Sequence, residues 1–196
     1  DLDRHLTEWK NRSDHMPLII KGARQVGKTA SVMEFARANY RNVVAINFVL
    51  EQKYKAVFDD GYDVDSVIRN ISLINPDFMF ESGNTLVFFD EMQDCPQCAT
   101  CLKAFCIDGR YDVICSGSLM GINYREIESN SVGYKEDYTM HSMDFEEFLW
   151  AKGYNDGFVE GLYAKMCAVT PLSQLEMDTL EGLFREYMTI GGMPAV

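Results

Sequence analysis

The stretch GARQVGKT, Gly22 to Thr29, fits the pattern G-x-x-x-x-G-K-[ST] at every fixed position. The apolar run PLIIKG before it predicts a buried strand over 17–21, and KTASVMEFARANY after it predicts a helix. Strand, glycine loop and helix in that order are the context in which this pattern forms a phosphate-binding loop, the P-loop or Walker A motif. Its glycines let backbone N–H groups approach phosphate oxygens, and the helix N-terminus adds a positive dipole end. The stretch therefore predicts a nucleoside triphosphate site.

The last two residues of the motif have specific expected roles. Lys28 is expected to reach the β- and γ-phosphates, and Thr29 to offer its hydroxyl to Mg²⁺. We expect the nucleotide to contact the loop and the start of the helix, namely Gly22, Ala23, Arg24, Gln25, Val26, Gly27, Lys28, Thr29 and Ala30. The sequence does not separate ATP from GTP, because it contains no visible base-reading motif.

A pair of acids follows another apolar run, TLVFFDEMQ. This run predicts a buried strand over 85–90 and places Asp90 at its C-terminal end, where ligands bind in open α/β sheets. Asp90 is expected to hold Mg²⁺ as a Walker B acid, and Glu91 to orient and deprotonate the attacking water. Many strands end in a solvated acid pair, so this signal gains its weight from the P-loop before it. The pair favours a hydrolysing NTPase over a small-molecule kinase.

Two serines end the next predicted strand, YDVICSG, over 111–116. If this strand lies between the P-loop strand and the Asp90 strand, a hydroxyl of Ser116 or Ser118 is placed to touch the γ-phosphate or the attacking water. Ser116 is the favoured catalytic candidate. The alternative is a plain Ser–Gly–Ser turn.

Strands and helices alternate along the first part of the chain. Further strands are predicted at 43–48 and within 133–142, and a lead-in helix at 2–12. Apolar strands separated by helices imply a parallel sheet covered on both faces. We therefore expect an α/β P-loop core with a parallel sheet of five strands over 1–142.

The final part of the chain is mostly helical. The segment DFEEFLWAKG reads as a helix that Asp144 caps and that carries Glu in its first turn. We expect a small helical lid over 143–196. The chain ends in the apolar TIGGMPAV, so we expect that a further C-terminal domain followed it.

Charge and composition restrict the partners. Thirty acidic residues against eighteen basic ones give a net charge of −12, which opposes non-specific binding of nucleic acid through phosphate neutralisation. No apolar run approaches the roughly 18 residues that a membrane helix needs, and the start of the chain lacks a secretory pattern. Six cysteines without a signal peptide favour a reducing compartment. We expect a cytoplasmic protein whose partner is a nucleotide and either an unknown protein or a second copy.

Four cysteines, Cys95, Cys98, Cys101 and Cys106, raise the question of a metal site. On a helix over 96–107, the first and last would lie about 16 Å apart along the axis at 1.5 Å per residue. One tetrahedral ion with bonds of about 2.3 Å does not span that distance. Free cysteine also packs as a small hydrophobe. We expect no zinc or iron–sulfur cluster, although Cys98 and Cys101 could still pair with ligands from elsewhere.

Five stretches together resemble a known family: GARQVGKT, LVFFDEMQDCP, CSGSLMG, SMDFEEFLWAKG and YMTIGGMPAV. The chain resembles the bacterial and archaeal AAA-type ATP-binding proteins that carry a C-terminal domain of unknown function. This resemblance implies an AAA+ core in which one strand separates the P-loop strand from the Asp90 strand, followed by a short helical lid. It also implies ATP and Mg²⁺ as ligands and a missing C-terminal domain that has been likened to nuclease folds. Nucleic acid would be a partner only through that missing domain. Many relatives have an arginine directly after the glycine that corresponds to Gly133, where this sequence has Tyr134. If that arginine acts across subunits, this chain either has lost the role or uses Lys135, Arg125 or Arg110 for it.

Two functions remain open at this point. The first is an ATPase that hydrolyses Mg·ATP to drive or gate a conformational change of the absent C-terminal domain. The second is a slow or non-hydrolysing nucleotide-dependent switch or scaffold that binds a protein or DNA partner. The intact Lys28, Thr29, Asp90 and Glu91 favour the first, whereas the missing arginine and the acidic composition favour slow turnover.

Overall fold

A computed structural model describes residues 2–118 and 132–193. The chain divides into two compact units. One unit holds the residues up to Arg24 and Lys28–Met140, and the other holds Gln25–Gly27 and the residues from His141 onward. Within residues 2–118 and 132–193, no helix is long and apolar enough to cross a bilayer.

The first unit alternates strands and helices, as the sequence predicts. In chain order it contains α1 (Leu2–Asn11), β1 (Leu18–Gly22), α2 (Lys28–Asn39), β2 (Asn42–Asn47), a 3₁₀ helix (Gln52–Phe58), α3 (Val64–Ile74), β3 (Thr85–Asp90), a 3₁₀ turn (Met92–Asp94), α4 (Cys98–Asp108), β4 (Asp112–Ser118) and β5 (Glu136–Met140). The predicted lead-in helix and the five predicted strands are present within one or two residues of their expected positions. The longer 3₁₀ helix was not predicted.

The five strands form one parallel sheet in the order β2-β3-β4-β1-β5. The predicted topology is confirmed, since β4 lies between the P-loop strand β1 and the strand β3 that ends in Asp90. Strands β1 and β3 are buried along their whole length, which is the pattern of parallel strands covered on both faces. Because parallel strands end at the same edge, the C-terminal ends of β1, β3 and β4 lie together.

Two hydrophobic cores hold this sheet between helices. Alternate residues of β1 to β4 enter opposite cores, so Ile19 and Phe89 pack on the side of α3 and α4, whereas Ile20 and Phe88 pack on the side of α1 and α2. All four side chains are at most 1% exposed. A one-residue slip of any strand would exchange the two faces, so the cores fix the register at the C-terminal edge.

Helix α4 begins later than the predicted 96–107. Backbone N–H groups of Cys98 and Ala99 donate to the carbonyls three residues earlier, at 3.1 and 3.0 Å, so the first turn is 3₁₀-like and the α-helix starts at Cys98. The thiols of Cys95, Cys98 and Cys101 are buried in the core. Burial raises the pKa of Cys95 to about 11 and raises the pKa of Cys98 and of Cys101 as well, so these thiols stay protonated.

The second unit contains three helices within residues 132–193: α5 (Phe145–Ala151), α6 (Asp156–Cys167) and α7 (Gln174–Ile190). The predicted cap of α5 is confirmed, because Asp144 accepts from the N–H of Glu147 at 2.9 Å and the Glu147 side chain bonds back to Asp144. Helices α6 and α7 have no fully buried residue. The division into a core over 1–142 and a lid over 143–196 stays a prediction.

Candidate nucleotide-binding site

The lysine of the P-loop motif is buried at the start of α2. Its Nζ donates to the carbonyl oxygens of Gly22 at 3.1 Å and of Ala23 at 2.6 Å. Burial lowers the pKa of Lys28, and the negative charges of Glu91 and Asp90 oppose that shift. The ammonium therefore lies near the acid pair, at the edge of the sheet where the motif is expected to bind phosphate.

The backbone geometry requires glycine at two positions of the motif. A Cβ on Gly22 would lie 2.4 Å from the carbonyl oxygen of Met140, because β1 and β5 pair at this point. Gly27 has φ 97°, a conformation that residues with a Cβ rarely adopt. Gln25 also has a positive φ, 65°, without being glycine. In a residue with a Cβ, such as Gln25, this conformation costs about 1–3 kcal/mol, and such residues concentrate at ligand-binding loops.

Asp90 is buried, 4% exposed, and among the described residues the side chains of Thr29, Asn47 and Ser116 contact its carboxylate. Thr29 Oγ1 lies 3.1 and 3.0 Å from its two oxygens. Asn47 Nδ2 donates to Oδ2 at 2.7 Å, and the hydroxyl of Ser116 donates to Oδ1. These donors come from the start of α2 and from the strands on either side of β3. Asn47 is also the register partner of Asp90 across β2 and β3, which explains their contact.

The contact between Thr29 and Asp90 fits a magnesium ion. A hydroxyl and a carboxylate are the oxygen donors that Mg²⁺ takes, and the ion usually keeps several waters and binds phosphate in addition. Within the described ranges, no three His, Cys, Asp or Glu side chains are grouped so that they could hold a metal alone. Because Mg²⁺ binds through few protein oxygens together with water and phosphate, Thr29 and Asp90 suit a cation that a nucleotide brings with it.

Glu91 has a left-handed backbone, with φ 57° and ψ 47°. Its N–H lies 3.4 Å from Ser116 Oγ, and its carboxylate accepts from the side-chain amide of Gln93. A glutamate rarely adopts this conformation, which turns the chain sharply after β3. The turn places Glu91 next to the cluster around Asp90 while leaving its side chain half-buried rather than fixed in the core.

The two serines of β4 have different surroundings. Ser116 is fully buried and bridges Asp90 and the backbone of Glu91. Ser118, at the end of the strand, donates its N–H to Gln93 Oε1 at 3.3 Å. A contact of Ser116 with phosphate or water stays a prediction, whereas its contact with Asp90 gives it a part in orienting that carboxylate.

Asn47 and Gln93 are functional candidates that the sequence analysis missed. Asn47 is a polar residue at the end of an apolar strand, NVVAIN, which is the same signal that identified Asp90. Its Oδ1 also accepts from the N–H groups of Val49 and Leu50, each at 3.0 Å. Gln93 follows the acid pair by two residues and gave no signal of its own.

The structure describes two of the three residues that could replace the arginine absent after Gly133, namely Arg110 and Lys135. Arg110 precedes β4, so it lies toward the edge opposite the C-terminal end of β3, and it pairs with Asp108 and Asp65, each at 2.7 Å. Lys135 pairs with Asp137 at 2.7 Å. Arg125 lies outside the described residues. A role of any of these across subunits stays a prediction.

A hollow of about 430 Å³ lies among α5, α6 and α7, away from the residues around Asp90 in the sequence. Its lining is apolar apart from the carboxylates of Glu146 and Glu181 and the ring of Tyr163, and it includes no basic side chain. Phosphate recognition needs donors or positive charge. The cluster around Asp90 is therefore the better nucleotide site.

The family described as an AAA domain matches residues 14–149. The chain belongs to this family. The matched region contains the P-loop, the acid pair, all five strands and the start of α5. This AAA domain is an ATP-binding P-loop NTPase by family and fold. The finer assignment, to bacterial and archaeal proteins with a particular C-terminal domain, stays a prediction.

One solved structure is similar to this chain at a TM-score of 0.50, and others are similar at lower scores. The AAA domain is similar to a chain of Drosophila ORC bound to DNA, at 14% identity and TM-score 0.50 over 76% of this chain and 44% of that chain. C. elegans PCH-2 is similar over 76% and 44%, at 11% identity and TM-score 0.47. The ADP form of Aeropyrum pernix ORC2 is similar over 78% and 49%, at 12% identity and TM-score 0.47.

Likeness at such identities shows the fold alone. The chain spans less than half the length of these solved chains. A search of curated proteins gave no significant match.

Proposed function

We propose that this AAA domain hydrolyses Mg·ATP and that its nucleotide state drives or gates a conformational change in a region outside this sequence. The observation that carries the proposal is the cluster at the C-terminal edge of the sheet. Thr29 contacts Asp90 directly, Glu91 follows Asp90 in the chain, and Lys28 lies close enough for both acids to influence its pKa.

Each residue has one task in this proposal. Lys28 would place its positive charge on the β- and γ-phosphates, and Thr29 and Asp90 would hold Mg²⁺. A bound Mg²⁺ would supply charge neutralisation at the phosphates. Glu91 accepts the proton of the attacking water, which a carboxylate does when it lies within hydrogen-bond reach of that water. Ser116 and Asn47 keep Asp90 oriented through their hydrogen bonds to its carboxylate.

The second candidate is a nucleotide-dependent switch that turns over slowly and binds a protein or DNA partner. One observation favours slow basal turnover. Arg110 and Lys135 are engaged in ion pairs with neighbouring aspartates. In this reading the apolar side chains exposed on the predicted lid, 143–196, belong to the surface that responds to the nucleotide.

Single-turnover hydrolysis of Mg·ATP across a series of protein concentrations separates the two candidates. Glu91→Gln is measured in parallel, with Glu160→Gln on α6 as the control that removes the same charge outside the site. Turnover that Glu91→Gln abolishes and that rises steeply with concentration would mean an ATPase completed by a neighbouring copy. Tight binding with negligible turnover at every concentration would mean a switch. Unchanged turnover in Glu91→Gln would remove Glu91 as the base.

A further inference from the structure

We propose that Gln93 is a positioning residue that orients the Glu91 carboxylate and ties it to the end of β4. This inference rests on the proposed function, in which Glu91 is the base. Gln93 Nε2 donates to Glu91 Oε2, and Gln93 Oε1 accepts from the N–H of Ser118 at 3.3 Å. One amide therefore spans the gap between the acid pair and the neighbouring strand.

The local packing is tight around this bridge. A Cβ on Gly117 would lie 3.1 Å from Gln93 Oε1 and 3.3 Å from Met92 Cγ. Glycine at this position lets the amide approach the backbone of β4. A second, longer contact joins Gln93 Nε2 to Asp94 Oδ2 at 3.4 Å. Gln93 thus has its donor side toward the acids and its acceptor side toward the strand.

An amide suits this task chemically. It donates to one carboxylate oxygen and leaves the other oxygen of Glu91 available to a water molecule. It does not take up the proton at neutral pH, so it does not compete with Glu91 as the base. Without the bridge, a half-buried glutamate on a sharp turn would sample several rotamers, and misplacing a reacting group lowers the rate steeply.

Two substitutions separate the halves of the bridge. Gln93→Glu has the same shape and keeps an acceptor for the Ser118 N–H, but it replaces the donor toward Glu91 with a like charge. Gln93→Leu removes both contacts. Gln97→Glu, at an exposed position before α4, is the control for added charge on this segment. We expect kcat to fall about tenfold or more in both Gln93 variants, with nucleotide affinity within about threefold of wild type.

Epistasis tests whether Gln93 acts through Glu91. In the Glu91→Gln background, Gln93→Leu should lower the residual turnover no further, because the group it positions is gone. Wild-type kcat in Gln93→Glu would overturn the proposal, as would a further tenfold loss in the double variant. A loss of thermal stability and affinity without a change in kcat would also overturn it, because Gln93 would then be only a brace. Failure of Glu91→Gln to slow turnover is a different result and overturns the proposed base.

A nuclear magnetic resonance measurement tests the contact even in a protein that turns over too slowly to assay. The side-chain amide resonance of Gln93 is assigned by its disappearance in Gln93→Glu. We expect it to shift in Glu91→Gln and to stay in place in Glu160→Gln. An unmoved resonance in Glu91→Gln would overturn the contact.

Discussion

Replacing Asn47 with leucine tests how the magnesium acid is held. The amide of Asn47 donates to buried Asp90 at 2.7 Å. A hydrogen bond to a charged group contributes about 1.5–3 kcal/mol. Asn47 Oδ1 also accepts from the N–H groups of Val49 and Leu50. These two residues are 46% and 81% exposed, so their N–H groups can bond to water instead. We therefore expect Asn47→Leu to lower the free energy of unfolding by about 2 kcal/mol.

For a protein of this size, that loss corresponds to a fall of about 4–8 °C in the unfolding midpoint. The assay is calorimetry without nucleotide or Mg²⁺. Asn84→Leu is the matched control, because its amide also donates to a carboxylate, that of Glu81 at 3.1 Å, but at an exposed site. Asn47→Asp should cost more than Asn47→Leu, since it places a second carboxylate against Asp90. Surface substitutions usually change the free energy of unfolding by no more than about 0.5 kcal/mol, which corresponds to about 1 °C in the midpoint. A midpoint for Asn47→Leu within about 1 °C of the control would therefore refute the reasoning.

Two further predictions concern the P-loop. Lys28→Ala should weaken binding of a fluorescent ATP analogue by about 100-fold or more, because it removes a charge-assisted contact to phosphate. The control Lys53→Ala, at an exposed position, should bind the analogue normally. Wild-type affinity in Lys28→Ala would disprove the P-loop assignment. Gly22→Ala should cost about 2–3 kcal/mol in urea unfolding, since its Cβ would meet the Met140 carbonyl at 2.4 Å and backbone lies on both sides. Gly161→Ala, where a Cβ meets nothing within 4 Å, should be neutral or stabilising, and equal effects at the two glycines would contradict the packing argument.

The sequence predicted the features that depend on short, local patterns. The strand before the P-loop, the strand that ends in Asp90 and the cap at Asp144 were all visible, because burial on both faces and helix capping leave their marks in neighbouring residues. The topology was also predicted, with β4 between β1 and β3. That prediction depended on the resemblance to an AAA-type core, because the spacing of the strands along the chain does not give their order in the sheet.

The features that the sequence did not predict depend on contacts across strands. Asn47 meets Asp90 only because β2 and β3 pair in a particular register, and Gln93 meets Ser118 only because a left-handed turn at Glu91 brings it back to β4. The start of α4 was misplaced for a different reason. The N–H groups of the first turn bond to the carbonyls three residues earlier, which makes this turn 3₁₀-like. A 3₁₀ turn and an α-helical turn leave similar patterns in the sequence, so the prediction placed the start of the α-helix too early.

The order of the strands bears on how the chain folds during synthesis. Strand β1 carries the P-loop, yet its partners come much later, since Leu18 pairs with Ile114 in β4 and with Glu136 in β5. Until β4 and β5 have left the ribosome, both edges of β1 stay unpaired. This slows folding and exposes an apolar, aggregation-prone strand. Strand β3, by contrast, can pair as soon as it is synthesised, because its partner β2 precedes it in the chain. The nucleotide loop therefore gains its anchor late, and we expect nascent chains that stop before β4 to depend on chaperones and to bind no ATP.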